Sequence, residues 1–275
     1  MNTKQNQSGQ ILLVVVLLLA TTLTIVMTAV FTSRTETQVS KLQQESDKSL
    51  IAAEAGIEAA IKNQNGRSNI SFKDLALTSL DGTGIDLNNS SVSIDNSTTA
   101  KFVSPIIQKD QQYTIYLAKY DNGVFDSTIV TGTMNLYYGS DNVSCDSIAL
   151  EYSFLAVALN TYTMPRYVAD TGSIIGVPGI DSVTIPPHDI NGVTFTCVST
   201  LTVPNNAKLL FVRVIGPDAS TRIGIDDNNF PAQGKTFSSE AKTASGVVKK
   251  VKVFQSYPQI PAEMFVTSYV LPAND

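Results

Sequence analysis

Tryptophan is absent from this 275-residue chain, histidine occurs once, at His188, and cysteine twice, at Cys145 and Cys197. So little imidazole and thiol leaves little raw material for His/Cys metal clusters or for Cys–His nucleophilic pairs. No G-x-S-x-G elbow, H-E-x-x-H helix or P-loop occurs either, so the chain does not read as an enzyme and no catalytic residue, metal site or cofactor is expected. A basic excess is also missing: 19 Lys and Arg stand against 24 Asp and Glu, a net charge of −5. Nucleic acid, whose phosphates demand a basic face, is therefore not an expected partner. Charged residues make up only 16% of the chain, below the roughly 25% of ordinary soluble domains. Ser, Thr and Asn supply the polar surface instead.

Charge is missing most completely from Gln10 to Ser33. Within that stretch Ile11–Phe31 is mostly apolar, and as a helix rising about 1.5 Å per residue it spans roughly 30 Å, the hydrocarbon thickness of a bilayer. A polar leader, MNTKQNQSG, precedes it. A secretory signal places its small-residue cleavage site after the apolar core. Here the small pair Ser8-Gly9 comes before it, so processing at that point keeps the apolar helix on the mature protein. Lys4 and the terminal amine lie ahead of the span, whereas Arg34 and Glu36 cancel behind it, which favours a cytoplasmic N-terminus. The bulk of the chain is then expected outside, where Cys145 and Cys197 read either as an oxidised pair or as two buried free thiols.

The helical pattern continues past the apolar run. Between Arg34 and Lys62 there is no Pro and no Gly except Gly56. Val39, Leu42, Ser46, Leu50, Ala53, Ile57 and Ile61 recur at three- and four-residue steps, an apolar stripe. Its C-terminal half is expected to pack on the protein's own sheet and its first half to face neighbouring subunits. Lys41/Glu45 and Glu58/Lys62 sit at i,i+4 on the other face, and Asn63-Gln64-Asn65-Gly66 supplies a stop. A spine helix over 10–63, spanning the membrane at 11–31, is thus predicted.

Residues 64–100 read as a linker region and 101–275 as a β-rich extracellular domain. Runs of Val, Ile, Thr, Tyr and Phe between turn clusters predict strands near 101–107, 111–120, 124–137, 148–159, 182–185, 194–202, 208–215, 221–225, 234–240, 247–256 and 264–270. Asp121-Asn122-Gly123 predicts a hairpin turn, and the Pro- and Gly-rich stretch 160–193 a long loop or strand crossing around the strand at 182–185. The fold class is α+β: a long N-terminal transmembrane helix carrying an all-antiparallel β-sandwich.

SGQILLVVVLLLATTLTIVMTAV followed by AAEAGIEAAI resembles the N-terminus of type IV pilin-like proteins, specifically PilX-type minor pilins with a class III prepilin-like start. The closing string VVKKVKVFQSYPQIPAEMFVTSYV (Val247–Val270) resembles the end of such proteins. The resemblance implies cleavage by a prepilin peptidase after Gly9, leaving Gln10 as the new N-terminus. It implies a subunit held in the lipid bilayer and then assembled, through an assembly platform, with other pilin-like subunits. Two residues depart from the family pattern: Gln10 stands where Phe or Met is usual, and Val14 where major pilins carry Glu. Without that carboxylate the resemblance implies a minor, initiating or tip subunit, or a pseudopilin of a secretion or DNA-uptake machine, and not the bulk repeating unit.

Other features carry blander readings. Thr21, Thr22, Thr24 and Thr28 interrupt the apolar run, either as glue for a neighbouring helix or as hydroxyls bonded to their own helix. The clusters Asp81–Asn89 and Asp226–Asn229 do not match a calcium loop and read as turns. His188 reads as a surface residue, and the sequons at Asn69, Asn89, Asn96 and Asn142 as products of a Ser- and Asn-rich surface. The competing function is a signal-anchored surface adhesin, whose binding platform Tyr113, Tyr116, Tyr137 and Tyr138 would supply.

Overall fold

A computed structural model describes residues 8–63, 69–121, 123–140, 143–158, 161–171, 174, 180–216 and 220–266. Residues 1–7 of the expected leader, 64–66 of the expected stop signal, Asn122 of the expected hairpin turn, Asn142 and residues 267–275 lie outside that set. The chain opens with one 56-residue helix, α1 (Ser8–Asn63). Then follow β1 (Asn69–Ser71), β2 (Ser91–Asp95), β3 (Thr99–Val103), β4 (Gln112–Tyr116), β5 (Ala118–Asp121), β6 (Val124–Thr128), β7 (Gly132–Ser140) and β8 (Ala149–Ala158). The remainder comprises β9 (Thr161–Thr163), β10 (Arg166–Asp170), β11 (Ile180–Ile190), β12 (Val193–Val203), β13 (Ala207–Ile215), β14 (Gly224–Phe230), β15 (Gly234–Lys242), β16 (Val248–Ser256) and the short α2 (Glu263–Val266). The class is α+β, a long apolar N-terminal helix followed by mostly antiparallel sheet.

Contacts divide the chain into a first unit, residues 1–94 with 237–253, and a second, residues 95–236 with 254–275. In the first, β1, β2, β15 and β16 form a four-stranded sheet in the order β1-β2-β15-β16. Ala52, Ala53, Ile57 and Ala60 of α1 share one buried cluster with Ile70, Phe72, Leu75, Val92, Phe237 and Ala241. Residues 69–94, expected as linker, therefore belong to the packing of α1, and the stretch 237–253 joins them across more than 140 residues of sequence. The strands there are short and Ser-rich, so their β propensity is weak and burial against the helix stabilises them.

The second unit carries a sheet running β3-β14-β7-β12-β11-β10-β8-β13-β4, with β9 beside β8 and a separate hairpin of β5 and β6. Its main core draws on both halves of that sheet: Leu136, Tyr138, Leu201 and Ile225 from one, and Ile115, Leu150, Phe154 and Leu210 from the other. The hairpin turns where Asp121 pairs with Val124, with Gly123 at φ +85°, a conformation glycine adopts without a Cβ penalty.

Three expectations are corrected. The sheet is not all antiparallel, because β10 and β11 pair in parallel at Ala169–Ile180 and Asp170–Asp181. The stretch 160–193 is not one loop but contains β9, β10 and most of the β11–β12 hairpin. Pro186 and Pro187 are tolerated there because the β11–β12 register breaks between Thr184 and His188, where missing N–H donors cost no ladder bond. Lastly, residues 264–266 of the expected strand 264–270 belong to the helical turn α2, and 267–270 lie outside the described residues. The turn begins as Met264 N–H donates to the Pro261 carbonyl at 3.2 Å.

Candidate functional site

The candidate site is the surface of α1. A helix of 56 residues is about 80 Å long, and its two halves have opposite surroundings. From Leu12 to Phe31 every large apolar side chain is exposed, Val14 at 56% and Leu19 at 65%. The segment is long and apolar enough to cross a membrane. Exposing so many Leu, Val and Ile side chains to water is unfavourable by about 25 cal/mol per Å² of apolar area, so this surface calls for an apolar medium or partner. Gly9 and Gln10 lie in the first turn of the same helix.

The threonine hydroxyls of this half donate to carbonyls of their own helix. Thr21 and Thr22 hydroxyls donate to the Leu18 carbonyl at 2.9 Å. Thr24 donates to Ala20 at 2.8 Å and Thr28 to Thr24 at 2.8 Å. Further along, Thr32, Thr35 and Thr37 repeat the pattern. Each hydroxyl is thus satisfied by a carbonyl three or four residues back, which suits an apolar environment.

In the second half the expected stripe is only partly used. Ala53 and Ile57 are buried and Ile61 packs against the same cluster. Val39, Leu42 and Leu50 remain exposed, Leu50 at 40%. Ser49, Ala52 and Ala60 are fully buried in their stead. The reason is closeness: a Cβ on Gly56 would meet Phe72 Cε1 at 2.6 Å and Ser239 Oγ at 2.7 Å. A helix this near its sheet buries its smallest side chains, and apolar periodicity alone does not rank small residues first.

The remaining candidates disperse. Cys145 and Cys197 are joined in a disulfide with Cα atoms 5.7 Å apart, closing a 52-residue separation. His188 Nε2 lies 3.2 Å from Asp226 Oδ2 and its ring stacks on Tyr137 at 4.6 Å, with Lys101 Nζ 3.7 Å from the same carboxylate. That is a partly exposed polar cross-strand cluster. Among the described residues no three His, Cys, Asp or Glu side chains converge on a metal position. In the Asp81–Asn89 turn Asp86 accepts from the Asn89 side-chain amide at 2.7 Å and from the Asn89 and Asn88 backbone N–H groups, and these bonds, the side-chain one foremost, hold its carboxyl below the usual range. Tyr116 and Tyr138 are buried, Tyr113 packs on Phe102 and Tyr137 on His188, so the four tyrosines do not share one open platform.

Sequence reasoning missed how the β4 edge of the second unit is closed. Tyr116 N–H donates to Gln233 Oε1 at 2.8 Å and Gln233 Nε2 returns a bond to the Tyr116 carbonyl at 2.8 Å. Thr114 N–H donates to Gln259 Oε1 at 2.7 Å. Two glutamine side chains thus stand in for a neighbouring strand, and nothing in the local pattern around either residue announces that role. No protein-family model matches the chain, and no curated protein matches it significantly.

Proposed function

We propose that the chain is a structural minor pilin-like or pseudopilin-like subunit of a type IV pilus-type filament, held in the cytoplasmic membrane by 11–31 before assembly. The observation that carries this reading is the division of one unbroken helix. Its N-terminal half offers an uninterrupted apolar surface, and its C-terminal half is welded by Ala52, Ala53, Gly56 and Ala60 to a sheet. An ordinary signal anchor needs only the first half. A spine that must transmit position from an apolar core to a displayed domain needs both.

In this reading the N-terminus faces the cytoplasm, prepilin peptidase cuts between Gly9 and Gln10, and the β domain, a sandwich sharing one core, is displayed outside. The disulfide supports an oxidising exterior, since cytosolic thiols are held reduced. Val14 supports a minor role. A Glu there would be an intramembrane charge, costly unless a neighbouring subunit's amine paired it, and valine carries no such register signal. The burial of Tyr116 and Tyr138 takes two of the four named tyrosines out of the platform the adhesin alternative would use.

N-terminal mass spectrometry of membrane-inserted protein, with and without a prepilin peptidase, tests the proposal. The expected result is a new Gln10 terminus only when the peptidase is present. An intact Met1 in both samples overturns it.

A further inference from the structure

Lysine is rarely buried, yet Lys235 of the second unit keeps only 11% of its side chain open. Its Nζ lies 2.6 Å from Asp121 Oδ1, and the two residues are 114 positions apart in the chain. Asp121 is the last residue of β5 and Lys235 the second of β15. Both are fixed through the backbone. Asp121 pairs with Val124 across the hairpin turn. Two residues before Lys235, the Gln233 side chain exchanges bonds with the Tyr116 backbone, and its carbonyl accepts the Tyr257 N–H at 3.0 Å. Asp121 borders an aromatic cluster of Tyr116, Tyr120, Phe125 and Tyr257, whose ring centroids lie 4.9–5.9 Å apart. Tyr257 is near enough for the Asp121 charge to raise its hydroxyl, after burial.

An ammonium withdrawn from water loses solvation that its partner returns only in part. Proton transfer to the carboxylate leaves an amine and a carboxylic acid, with no charge to bury. A nitrogen 2.6 Å from one carboxyl oxygen stands within about 3.5 Å of the carboxyl carbon, the separation of a near-attack arrangement. Groups held in that way react as if at effective concentrations of about 10⁵ M or more. We propose that Lys235 and Asp121 condense to an intramolecular amide. A bond forms between Lys235 Nζ and Asp121 Cγ, and one Cγ–O bond breaks. Two of the three ammonium protons leave with that oxygen as water, the third stays on the amide nitrogen, and the two charges cancel. No oxidant, reductant or co-reactant is consumed. Asp121 keeps 40% of its side chain open, which gives the water a way out. The product ties the β5–β6 hairpin to β15 by a link that salt does not screen, and the closed loop encloses the Cys145–Cys197 bond. Burial, the larger cause, still holds the Tyr257 hydroxyl up once Asp121 is neutral. The inference is independent of the subunit reading, since neither leader processing nor assembly enters it.

The test is mass spectrometry of the purified full chain, denatured after overnight incubation at neutral pH. The expected mass is one water below that of the disulfide-bonded sequence, and reduction does not restore the difference. Tandem spectra of a digest are expected to show a branched peptide joining the segments that carry Asp121 and Lys235, with no tryptic cut after Lys235. Lys235→Arg keeps the ion pair but stays protonated and offers no amine to condense, and Asp121→Ala removes the acyl group. Both variants are expected at full mass. A wild-type chain at full mass overturns the inference and leaves an ordinary ion pair. A loss of water that persists in Lys235→Arg overturns it as well, because that loss then arises elsewhere in the chain.

Discussion

The ring of Phe72 occupies the space where Gly56 would carry a side chain, its Cε1 2.6 Å from the position of a Cβ. Phe72 is fully buried and cannot swing away into solvent. The close approach of α1 to Phe72 and Ser239 at this point therefore depends on one missing methyl group.

Gly56→Ala sets two effects against each other. Alanine improves helix propensity by about 1 kcal/mol, while overpacking a filled core costs about 1–3 kcal/mol. With a buried ring and Ser239 both within 2.7 Å, overpacking wins, and a net loss of about 1 kcal/mol or more is expected. The denaturant midpoint of the full chain checks this, and a more stable variant would contradict it. Gly56→Ala combined with Phe72→Leu should lose less than the two changes summed, because they share the same space.

Ile57→Ala and Leu50→Ala separate the buried face of α1 from the stripe that periodicity suggests. Ile57 is 6% exposed, so its truncation should cost about 2–5 kcal/mol. Leu50 is 40% exposed, and its truncation should cost clearly less, about 1 kcal/mol or below. Equal losses in thermal unfolding would show that Leu50 packs as tightly as Ile57.

Removing the Cys145–Cys197 bond should lower stability by about 2–5 kcal/mol, since a 52-residue separation is released in the unfolded chain. Cys145→Ser/Cys197→Ser and reduction of the wild type should shift the melting temperature alike. A wild-type protein whose electrophoretic mobility does not change on reduction would show the bond to be absent.

Gln233→Ala should expose the β4 edge. Tyr116 then loses the partners of both its N–H and its carbonyl, at about 1–3 kcal/mol. Hydrogen exchange at the Tyr116 amide should accelerate well beyond that at Ile115. Unchanged exchange at Tyr116 would mean that Gln233 does not close the edge.

Alkaline pH should unfold the second unit. Burial, followed by the Asp121 carboxylate and Tyr120, pushes the Tyr257 hydroxyl up to about 12, and burial with Tyr120 and Tyr257 raises Tyr116 as well. An unfolded tyrosine loses its proton near pH 10. Above that pH the unfolded chain binds fewer protons than the folded one, so stability falls as pH rises from about 10 through the folded value near 12. Phenolate absorbance rising in step with loss of structure is the expected record, and Tyr257→Phe should reduce the slope. Titration of all ten tyrosines near pH 10 without unfolding would contradict it.

The long helix and its apolar half were legible because a charge-free run and a 3.6-residue repeat are local properties. Most strands of the second unit were legible for the same reason, through Val, Ile, Tyr and Thr between turn residues. The misses share a different cause. β1 and β2 are short and polar, and only the buried faces of Ile70 and Val92 under α1 make them strands. β11 was legible only at 182–185, because the two prolines that follow argue against a continuing strand until the register break beside them is seen. In α1 the exposure of Leu50 and burial of Ser49 depend on where the sheet lies.

Order along the chain by itself determines that a charge-free apolar run leads into a helical pattern continuing beyond the length of a bilayer, because length and charge need no neighbours to be counted. Packing was decided in three dimensions. Which face of α1 meets a sheet, which strands more than 140 residues apart complete it, and that Cys145 reaches Cys197 all depend on contacts between distant segments. Those contacts are chosen by burial and shape, and neither is a property of any single stretch of sequence.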